Sequence, residues 1–321
     1  FQNTDSNPGN TKGNGLVIQP ASAGNILIEN VYTKSNEENN ISITTANGSV
    51  TLKNVEVSNA NTGYGIYVDN CALAGACTAV SKPVTLTNII SNFNEMENIY
   101  VLSNGNISLT DIEARASDSG STVLHNQDAV GARTVTVTRG EFGSGSEGTG
   151  LEIRSKGTVT LDSIDSRNNS SGGHGLDVDN SFGSGSVTLK AKYYDNRLFG
   201  NTGYGVRIIS KGSVSLSDIS DVSGNTLANI FVDNSAGSSG KVTIKNAFAP
   251  NGGSPTYGVE VLSNGVITLD QVTSNYTSSG GGASLNNSGA AGTPGVTVTN
   301  SEFIYNKADG LNIRTKGSVK V

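Results

Sequence analysis

The sequence contains no tryptophan and only one methionine, and aromatic residues make up 6% of it. A chain of 321 residues with so few large side chains favours a thin core of small aliphatic residues over a conventional globular core. No apolar run approaches the ~20 residues of a membrane-spanning helix, so the sequence predicts no membrane span. The formal net charge of -6 argues against a nucleic-acid partner, because phosphate binding needs clustered lysine and arginine.

Cysteine is also scarce, and its two residues, Cys71 and Cys77, lie together in the segment CALAGAC. No histidine accompanies them, which disfavours a zinc site. A local disulfide is favoured over a pair of free thiols, so we interpret residues 71–77 as a disulfide loop insertion. A disulfide implies an oxidising compartment, and we therefore expect the protein to be extracellular or on the cell surface.

Glycine is abundant, with 41 residues, and short apolar phrases recur along the whole chain. GYGIYVDN at 63–70 returns as GHGLDVDN at 173–180 and as NIFVDN at 229–234. The first apolar residues of the recurring units are Leu16, Ile41, Ile66, Ile99, Val123, Leu151, Leu176, Val206, Ile230, Val259, Ala283 and Leu311. Short and long units alternate around roughly 25 residues, which is a typical period of a repeat fold.

Each unit contains an apolar-x-apolar phrase, then a second one such as VTL at 50–52 about ten residues later, then a weaker third apolar position. Alternating β-branched residues bounded by Gly, Asn and Ser are typical of half-buried strands. The pattern predicts an all-β, right-handed parallel β-helix (β-solenoid) of about a dozen coils. We expect a single domain over residues 1–321, with residues 1–13 as a polar N-terminal lead-in.

The segments GLEIRSKGTVTLDSI at 150–164 and GYGVRIISKGSVSLSDI at 203–219 resemble right-handed parallel β-helix repeats of the pectin-lyase-like superfamily. They are most similar to the repeat arrays of secreted bacterial surface proteins and adhesins, and the resemblance covers residues 13–321. It implies the fold but not an activity, because that superfamily holds lyases, glycosidases, tailspikes and non-enzymatic adhesins alike.

A polar position follows each first strand and is predicted to lie in a turn, stacked from coil to coil. Its members are Asn70, Ser103, Ser155, Asn180, Ser210, Asn234, Ser263 and Asn287. Asn amides carry donors and an acceptor, so they can bond to the next coil and to the turn backbone. We interpret these residues as a structural ladder, with Gln127 at the equivalent position of the unit that starts at Val123.

The central residue of the second strand is almost always a hydroxyl-bearing residue that is predicted to point outward. The candidate contact face comprises Thr51, Thr85, Thr136, Thr160, Thr188, Thr243, Thr268 and Thr297. Such a file can dock a neighbouring rod or a glycan, and it resembles the flat threonine arrays of ice-binding β-solenoids. The favoured interpretation is that threonine simply suits an exposed strand.

An active site on a β-helix should break the repeat with a local cluster of charged residues. Glu95 and Glu97 are one candidate, although an exposed turn explains them as well. Glu152 and Asp177 occupy equivalent outward positions on adjacent coils, with Arg207 on the next, and a solvated strand face is the simpler explanation. Beside them, Arg154 and Asp179 are expected to form an ion pair across strands.

The two histidines give no clear catalytic pattern. His125 is predicted to point inward, as a hydrogen-bonded core histidine, and His174 lies in a glycine-rich turn. Neither accompanies a recognisable nucleophile. We therefore predict no catalytic residues, no cofactor and no metal site.

The favoured function is a non-catalytic, extracellular structural or adhesive rod, with cell-surface glycans as a candidate partner. The alternatives are a polysaccharide-active lyase or glycosidase on the same fold, and a glycan- or ice-binding module that uses the threonine face. Val319 and Val321 continue the inward register up to the last residue. We therefore expect chains to associate head to tail, into filaments or a sheath.

The cysteine pattern predicts a disulfide between Cys71 and Cys77. Mass spectrometry of the unreduced protein should show the two residues in one cross-linked peptide. Because the closed loop is small and local, reduction should leave thermal unfolding of the rod nearly unchanged. Two freely alkylated thiols in protein kept under oxidising conditions would contradict the prediction.

Overall fold

The computed structural model describes residues 13–20, 24–45, 48–71, 81–237, 239–250 and 257–321. Over these residues the chain forms twenty-five strands and no helix. We number the strands β1 to β25 in chain order. They stack in parallel into two sheets, and successive turns of chain lie on top of one another. The predicted all-β parallel β-helix is therefore confirmed.

One sheet consists of twelve short strands, one from each coil. They are β1 (Leu16–Ile18), β3 (Ile41–Thr44), β5 (Ile66–Asp69), β7 (Ile99–Leu102), β9 (Thr122–His125), β11 (Leu151–Arg154), β13 (Leu176–Asn180), β16 (Val206–Ser210), β18 (Ile230–Asn234), β20 (Tyr257–Ser263), β22 (Gly281–Asn286) and β24 (Leu311–Arg314). Their register is direct, since Ile66 pairs with Ile41 on one side and with Ile99 on the other. Equivalent side chains of successive coils are therefore stacked in files.

The second sheet has thirteen strands, most of them longer. They are β2 (Ile26–Lys34), β4 (Val50–Ser58), β6 (Val84–Asn92), β8 (Ile107–Arg115), β10 (Val135–Gly143), β12 (Val159–Arg167), β14 (Val187–Lys190), β15 (Asn196–Arg197), β17 (Val214–Asp221), β19 (Val242–Phe248), β21 (Ile267–Thr273), β23 (Val296–Thr299) and β25 (Val319–Lys320). The sequence predicted two strands here, and the structure joins them into one bent strand in most coils.

The bend comes from a residue in the left-handed region of backbone space. In β4 this residue is Asn54, with φ of 52°, and asparagine tolerates that conformation better than most residues. Val50 and Leu52 are buried before the bend, and Val55 and Val57 are buried after it. The left-handed residue thus shifts the alternation by one position, so that both halves of the strand point apolar residues into the same core.

The core is a narrow stack of small aliphatic side chains, and Phe142 is its exception. Phe142 is 1% exposed, and its ring takes the place of a side chain that is missing at Gly140. An added Cβ at Gly140 would lie only 2.3 Å from Phe142 Cε2. In the neighbouring strands the position of Gly140 holds Ile112 and Ile164, so glycine and phenylalanine together conserve the core volume.

The register predicted for the unit that starts at Val123 is wrong by one residue. Thr122, not Val123, pairs with Leu151 of the next coil, and Thr122 and Leu124 point inward. His125 therefore points outward, and the predicted core histidine is also wrong. A one-residue slip moves every side chain of a strand to the opposite face. Asn126, not Gln127, then occupies the buried turn position that ends the strand.

All eight residues of the predicted turn ladder are buried. Their partners are mainly turn backbone groups. Asn70 Nδ2 donates to the Lys82 carbonyl at 2.9 Å, and Ser210 Oγ accepts from the Gly212 N–H at 3.1 Å. These side chains satisfy backbone groups that the turn would otherwise leave without partners.

A continuous amide stack occurs instead at the turn after the long strands, where the sequence analysis did not expect it. Asn169 donates to Asn201 at 2.7 Å, Asn201 to Asn225 at 2.9 Å, and Asn225 to Asn229 at 3.0 Å. All four residues are at most 1% exposed. The stack links successive coils through side chains as well as backbone.

The buried stack predicts a large effect for Asn225→Ala. The variant removes both amide bonds and leaves the Leu198 and Val222 carbonyls without their side-chain donor. We expect the free energy of unfolding to fall by about 2–4 kcal/mol in denaturant titration. The control is Asn61→Ala, at an exposed position, which should change it by less than about 0.5 kcal/mol. Equal effects of the two substitutions would contradict a stabilising role for the stack.

Candidate binding face on the short-strand sheet

The outward side of the short-strand sheet carries a row of aromatic and charged groups from β5 to β20. We call it the short-sheet face. It comprises Tyr64, Tyr67, Asp69, Glu97, Tyr100, His125, Glu152, Arg154, His174, Asp177, Asp179, Tyr204, Arg207, Phe231, Asp233 and Glu260. From β5 to β20 it extends over seven strand steps, or about 34 Å at the usual strand spacing.

Three tyrosines form one end of the short-sheet face. The ring centres of Tyr64, Tyr67 and Tyr100 lie 5.2 to 5.7 Å from one another. All three are half-buried, and burial raises the pKa of the Tyr64 hydroxyl to about 12, with a further contribution from the Glu97 charge. The tyrosines stay neutral at any physiological pH and present aromatic surface together with hydroxyl donors.

An ion-paired network occupies the middle of the face. His125 Nε2 lies 3.1 Å from Glu152 Oε1, and Arg154 Nε lies 3.1 Å from the same oxygen. Arg154 also reaches Asp177 at 3.1 Å and Asp179 at 3.4 Å. The bond from His125, assisted by the charge of Arg154, holds the pKa of Glu152 below its ordinary value. The predicted ion pair of Arg154 with Asp179 is confirmed, as one contact of a larger network.

The next coil continues this network into a second aromatic cluster. Arg207 Nη1 donates to Asp177 Oδ1 at 2.7 Å. The ring of Tyr204 lies 5.2 Å from those of His174 and Phe231. His174 Nδ1 accepts from the Tyr204 backbone N–H at 3.0 Å, and burial lowers the pKa of His174, so this imidazole is held neutral.

Glu97 is the least satisfied acidic group of the face. Its Oε2 is buried and has no hydrogen-bond partner among the described residues. Burial raises the pKa of Glu97, and the negative charge of Glu152 adds to the effect. The equivalent residue of the next coil is Gly120, where an added Cβ would lie 3.8 Å from Glu97 Cγ. The glycine leaves room around the carboxyl group.

The charged residues that the sequence suggested as candidates differ in their position and burial. Glu95 is exposed in a turn, whereas Glu97 belongs to the short-sheet face. Glu152 and Asp177 are both ion-paired, Glu152 being half-buried and Asp177 buried, so a freely solvated strand face does not describe them. Asp177 is only 4% exposed.

The candidate threonine face lies on the long-strand sheet. Thr85 pairs in register with Thr51, Thr136 with Thr160, and Thr243 with Thr268. Thr188 and Thr297 occupy the same file. The file points outward and is half-exposed, and its role as a contact face stays a prediction.

Two other predictions concern the disulfide and metal binding. The Cys71–Cys77 disulfide involves Cys77, which lies outside the described residues, so the pairing stays a prediction. In the described ranges, no group of three or more His, Cys, Asp and Glu side chains is arranged to hold a metal ion.

The aromatic part of the face was not predicted from the sequence. A signal was present, because Tyr67 and Tyr100 occupy the same position of consecutive units, directly after the first apolar residue. Tyr204 and His174 likewise share a position two residues before it. The part of His125 in the network around Arg154 was not predicted, because it depends on the register of β9, which was predicted wrongly.

No known protein family, curated protein or solved structure matches this chain. The structure itself is a parallel β-helix with an aromatic and charged face on its short-strand sheet. Within the residues described, no helix is long and apolar enough to cross a membrane.

The position of Glu97 predicts a pH-dependent effect on stability. Because its pKa is raised, the folded state disfavours the ionised carboxylate, and the unfavourable contribution is present above the ordinary glutamate pKa of 4.5. Glu97→Gln should therefore raise the melting temperature at pH ~7 and leave it nearly unchanged at pH ~3, where the carboxyl is neutral in both states.

The control for this substitution is Glu95→Gln, at the exposed neighbouring acid, which should have little effect at either pH. A lower melting temperature of Glu97→Gln at neutral pH would show that the ionised carboxylate makes a stabilising contact, contrary to the account given above.

Proposed function

We propose that the protein is a non-catalytic adhesive rod, located outside the cell or on its surface, that binds a neutral polysaccharide along the short-sheet face. The observation that carries the proposal is the linear arrangement of two aromatic clusters on one face. From Tyr100 on β7 to Tyr204 beside β16 the face extends over four strand steps, or about 19 Å. A rigid row of this kind fits an extended polymer better than a compact ligand.

The chemistry of the face supports a carbohydrate. The apolar side of a sugar ring packs against aromatic rings such as Tyr67 and Tyr100, and sugar hydroxyls donate to carboxylate oxygens such as those of Asp179. Binding sites commonly combine apolar walls with a few polar groups that fix orientation. The coil spacing is also close to the length of one sugar unit in an extended chain.

The charge of the face supports a neutral polymer over an acidic one. Carboxyl groups outnumber arginines along it, and both Arg154 and Arg207 are already paired with Asp177. No arginine of the face is left without a carboxylate partner to receive a uronate group. Like charges across an interface suppress wrong partners, so polyuronates should be excluded.

Polysaccharide hydrolysis is the second candidate. Burial raises the pKa of Glu97, whereas the bond from His125 lowers the pKa of Glu152. Two carboxyl groups displaced in opposite directions are typical of the acid and the base of a glycosidase. We favour binding without catalysis because Glu152 Oε1 is already engaged by both His125 and Arg154.

Two further proposals concern assembly and the threonine file. Head-to-tail association of rods stays a prediction. It is compatible with the proposed function, because stacked rods would extend the short-sheet face. The threonine file stays an alternative glycan surface, and the binding experiment that follows distinguishes the two.

The proposal predicts binding to soluble neutral glucan or xylan, but not to polygalacturonate, in affinity electrophoresis. Tyr67→Ala combined with Tyr100→Ala should weaken binding about tenfold or more, because central aromatic anchors dominate such interfaces. The control is Tyr305→Ala, at a tyrosine that is 71% exposed elsewhere on the rod. Release of reducing ends should stay at the level of the blank.

Other outcomes would contradict the proposal. Preferential binding to polygalacturonate would overturn the charge argument. Loss of binding on Thr136→Lys with Thr160→Lys, but not on the tyrosine substitutions, would move the site to the threonine file. Reducing ends that disappear with Glu97→Gln would place the protein among the hydrolases.

A further inference from the structure

The long-strand sheet is interrupted between β14 and β15. Leu189 pairs with Leu216 and Asn196 with Ile219. Seven positions therefore separate the residues on one strand (196 − 189) where three separate their partners on the other (219 − 216). The strand therefore gains four residues here, and the chain projects as a non-periodic segment. We call this segment the tyrosine ledge and define it as residues 191–195.

Buried groups of the preceding coil hold the ledge in place. Asp162 Oδ1 accepts from the Lys192 backbone N–H at 2.8 Å. Ser163 Oγ accepts from the backbone N–H groups of Tyr193 at 3.0 Å and Tyr194 at 3.2 Å. Asp162 is 5% exposed and Ser163 is fully buried. The three central backbone donors of the ledge are thus satisfied, as in a fixed element of the fold.

Buried Asn196 closes the ledge at its other end. It stands where neighbouring coils have the core residues Ile164 and Ile219. Its Oδ1 accepts from the Ile164 N–H at 2.8 Å, and its Nδ2 donates to the Ser217 carbonyl at 3.2 Å. Burying an unpaired amide among aliphatic side chains would destabilise the fold. Asn196 avoids this cost because its two bonds go to backbone groups beside the ledge.

The ledge presents two aromatic rings to solvent. Tyr193 is 51% exposed and Tyr194 is 38% exposed. The Arg139 guanidinium carbon lies 4.4 Å from the centre of the Tyr193 ring, which fixes that ring by a cation–π contact. Tyr194 and Glu141 both line two cavities of about 300 and 420 Å³.

The polar groups around these cavities favour a neutral ligand that donates hydrogen bonds. Arg139 donates to Asp111 at 2.7 Å, and Arg197 pairs with Asp165, so neither arginine is free to hold an anion. The Asp195 carboxylate has no partner in the described part of the chain. Ile90, 37% exposed, adds apolar surface to the first cavity.

We propose that the cleft around Tyr194 is a second saccharide site, on a different face of the rod from the short-sheet face. The apolar side of one sugar unit packs on Tyr194, and its hydroxyls donate to Asp195 and to Glu141 Oε1, since Glu141 Oε2 is paired with Arg115. With both sites occupied, one rod bridges two polysaccharide chains. The choice of saccharide as ligand class rests on the proposed function, whereas the existence of the site rests on the ledge.

The test is isothermal titration calorimetry of the whole protein with cellohexaose, xylohexaose and chitohexaose. At least one of these probes should bind at two sites per chain. Tyr194→Ala should remove one site, Tyr67→Ala with Tyr100→Ala should remove the other, and the triple variant should bind none. Tyr305→Ala is the matched control and should keep both. Wild-type protein, but not Tyr194→Ala, should also precipitate the corresponding soluble polysaccharide.

The outcomes separate the two proposals. If Tyr194→Ala leaves the stoichiometry unchanged, the second site is overturned and the proposed function stands. If Tyr194→Ala abolishes all binding while the short-sheet variant binds as wild type, the cleft stands and the short-sheet face fails. Spermidine binding that depends on Tyr194, without sugar binding there, would overturn the saccharide class. No binding of any probe would overturn both proposals.

Discussion

The in-register parallel pairing of each coil with the next is the interaction on which the whole structure depends. Ile41, Ile66 and Ile99 occupy one file because their backbones exchange hydrogen bonds in direct register. A coil of about 25 residues cannot bury its own apolar side chains, so only stacking removes them from water. The core is therefore thin and aliphatic, and the chain has little need of large aromatic residues for stability.

Stacking also creates a requirement for polar groups in the turns. Each coil has corners where the backbone leaves the sheet, and buried N–H and C=O groups there need partners. Asn70 and Ser210 supply them at one turn, and the amides from Asn169 to Asn229 supply them at another. The abundance of asparagine and serine in the sequence thus follows from the same constraint as its small aliphatic core.

Periodic features could be predicted from the sequence, and non-periodic ones could not. The strands, the outward threonine file and the buried turn residues recur in most coils, so each unit supports the assignment of the others. The register of Thr122 to His125 was misjudged because an apolar residue, Val123, occupies an outward position. The tyrosine ledge was missed because it interrupts the repeat only once: residues 191–195 form a non-periodic segment, and Asn196 stands where the neighbouring coils have Ile164 and Ile219.

The difference between periodic and non-periodic residues also explains which surfaces of the rod are proposed as binding sites. Periodic stacking makes a rigid rod, and residues that depart from the repeat on its outer surface give the rod its chemistry.

The central claim is that a polysaccharide lies along the short-sheet face. The most direct measurement is a crystal structure of the protein with a neutral hexasaccharide. The account predicts sugar rings packed on Tyr67, Tyr100 and Tyr204, with the chain running parallel to the rod axis. Sugar bound along the threonine file, with the short-sheet face empty, would contradict it.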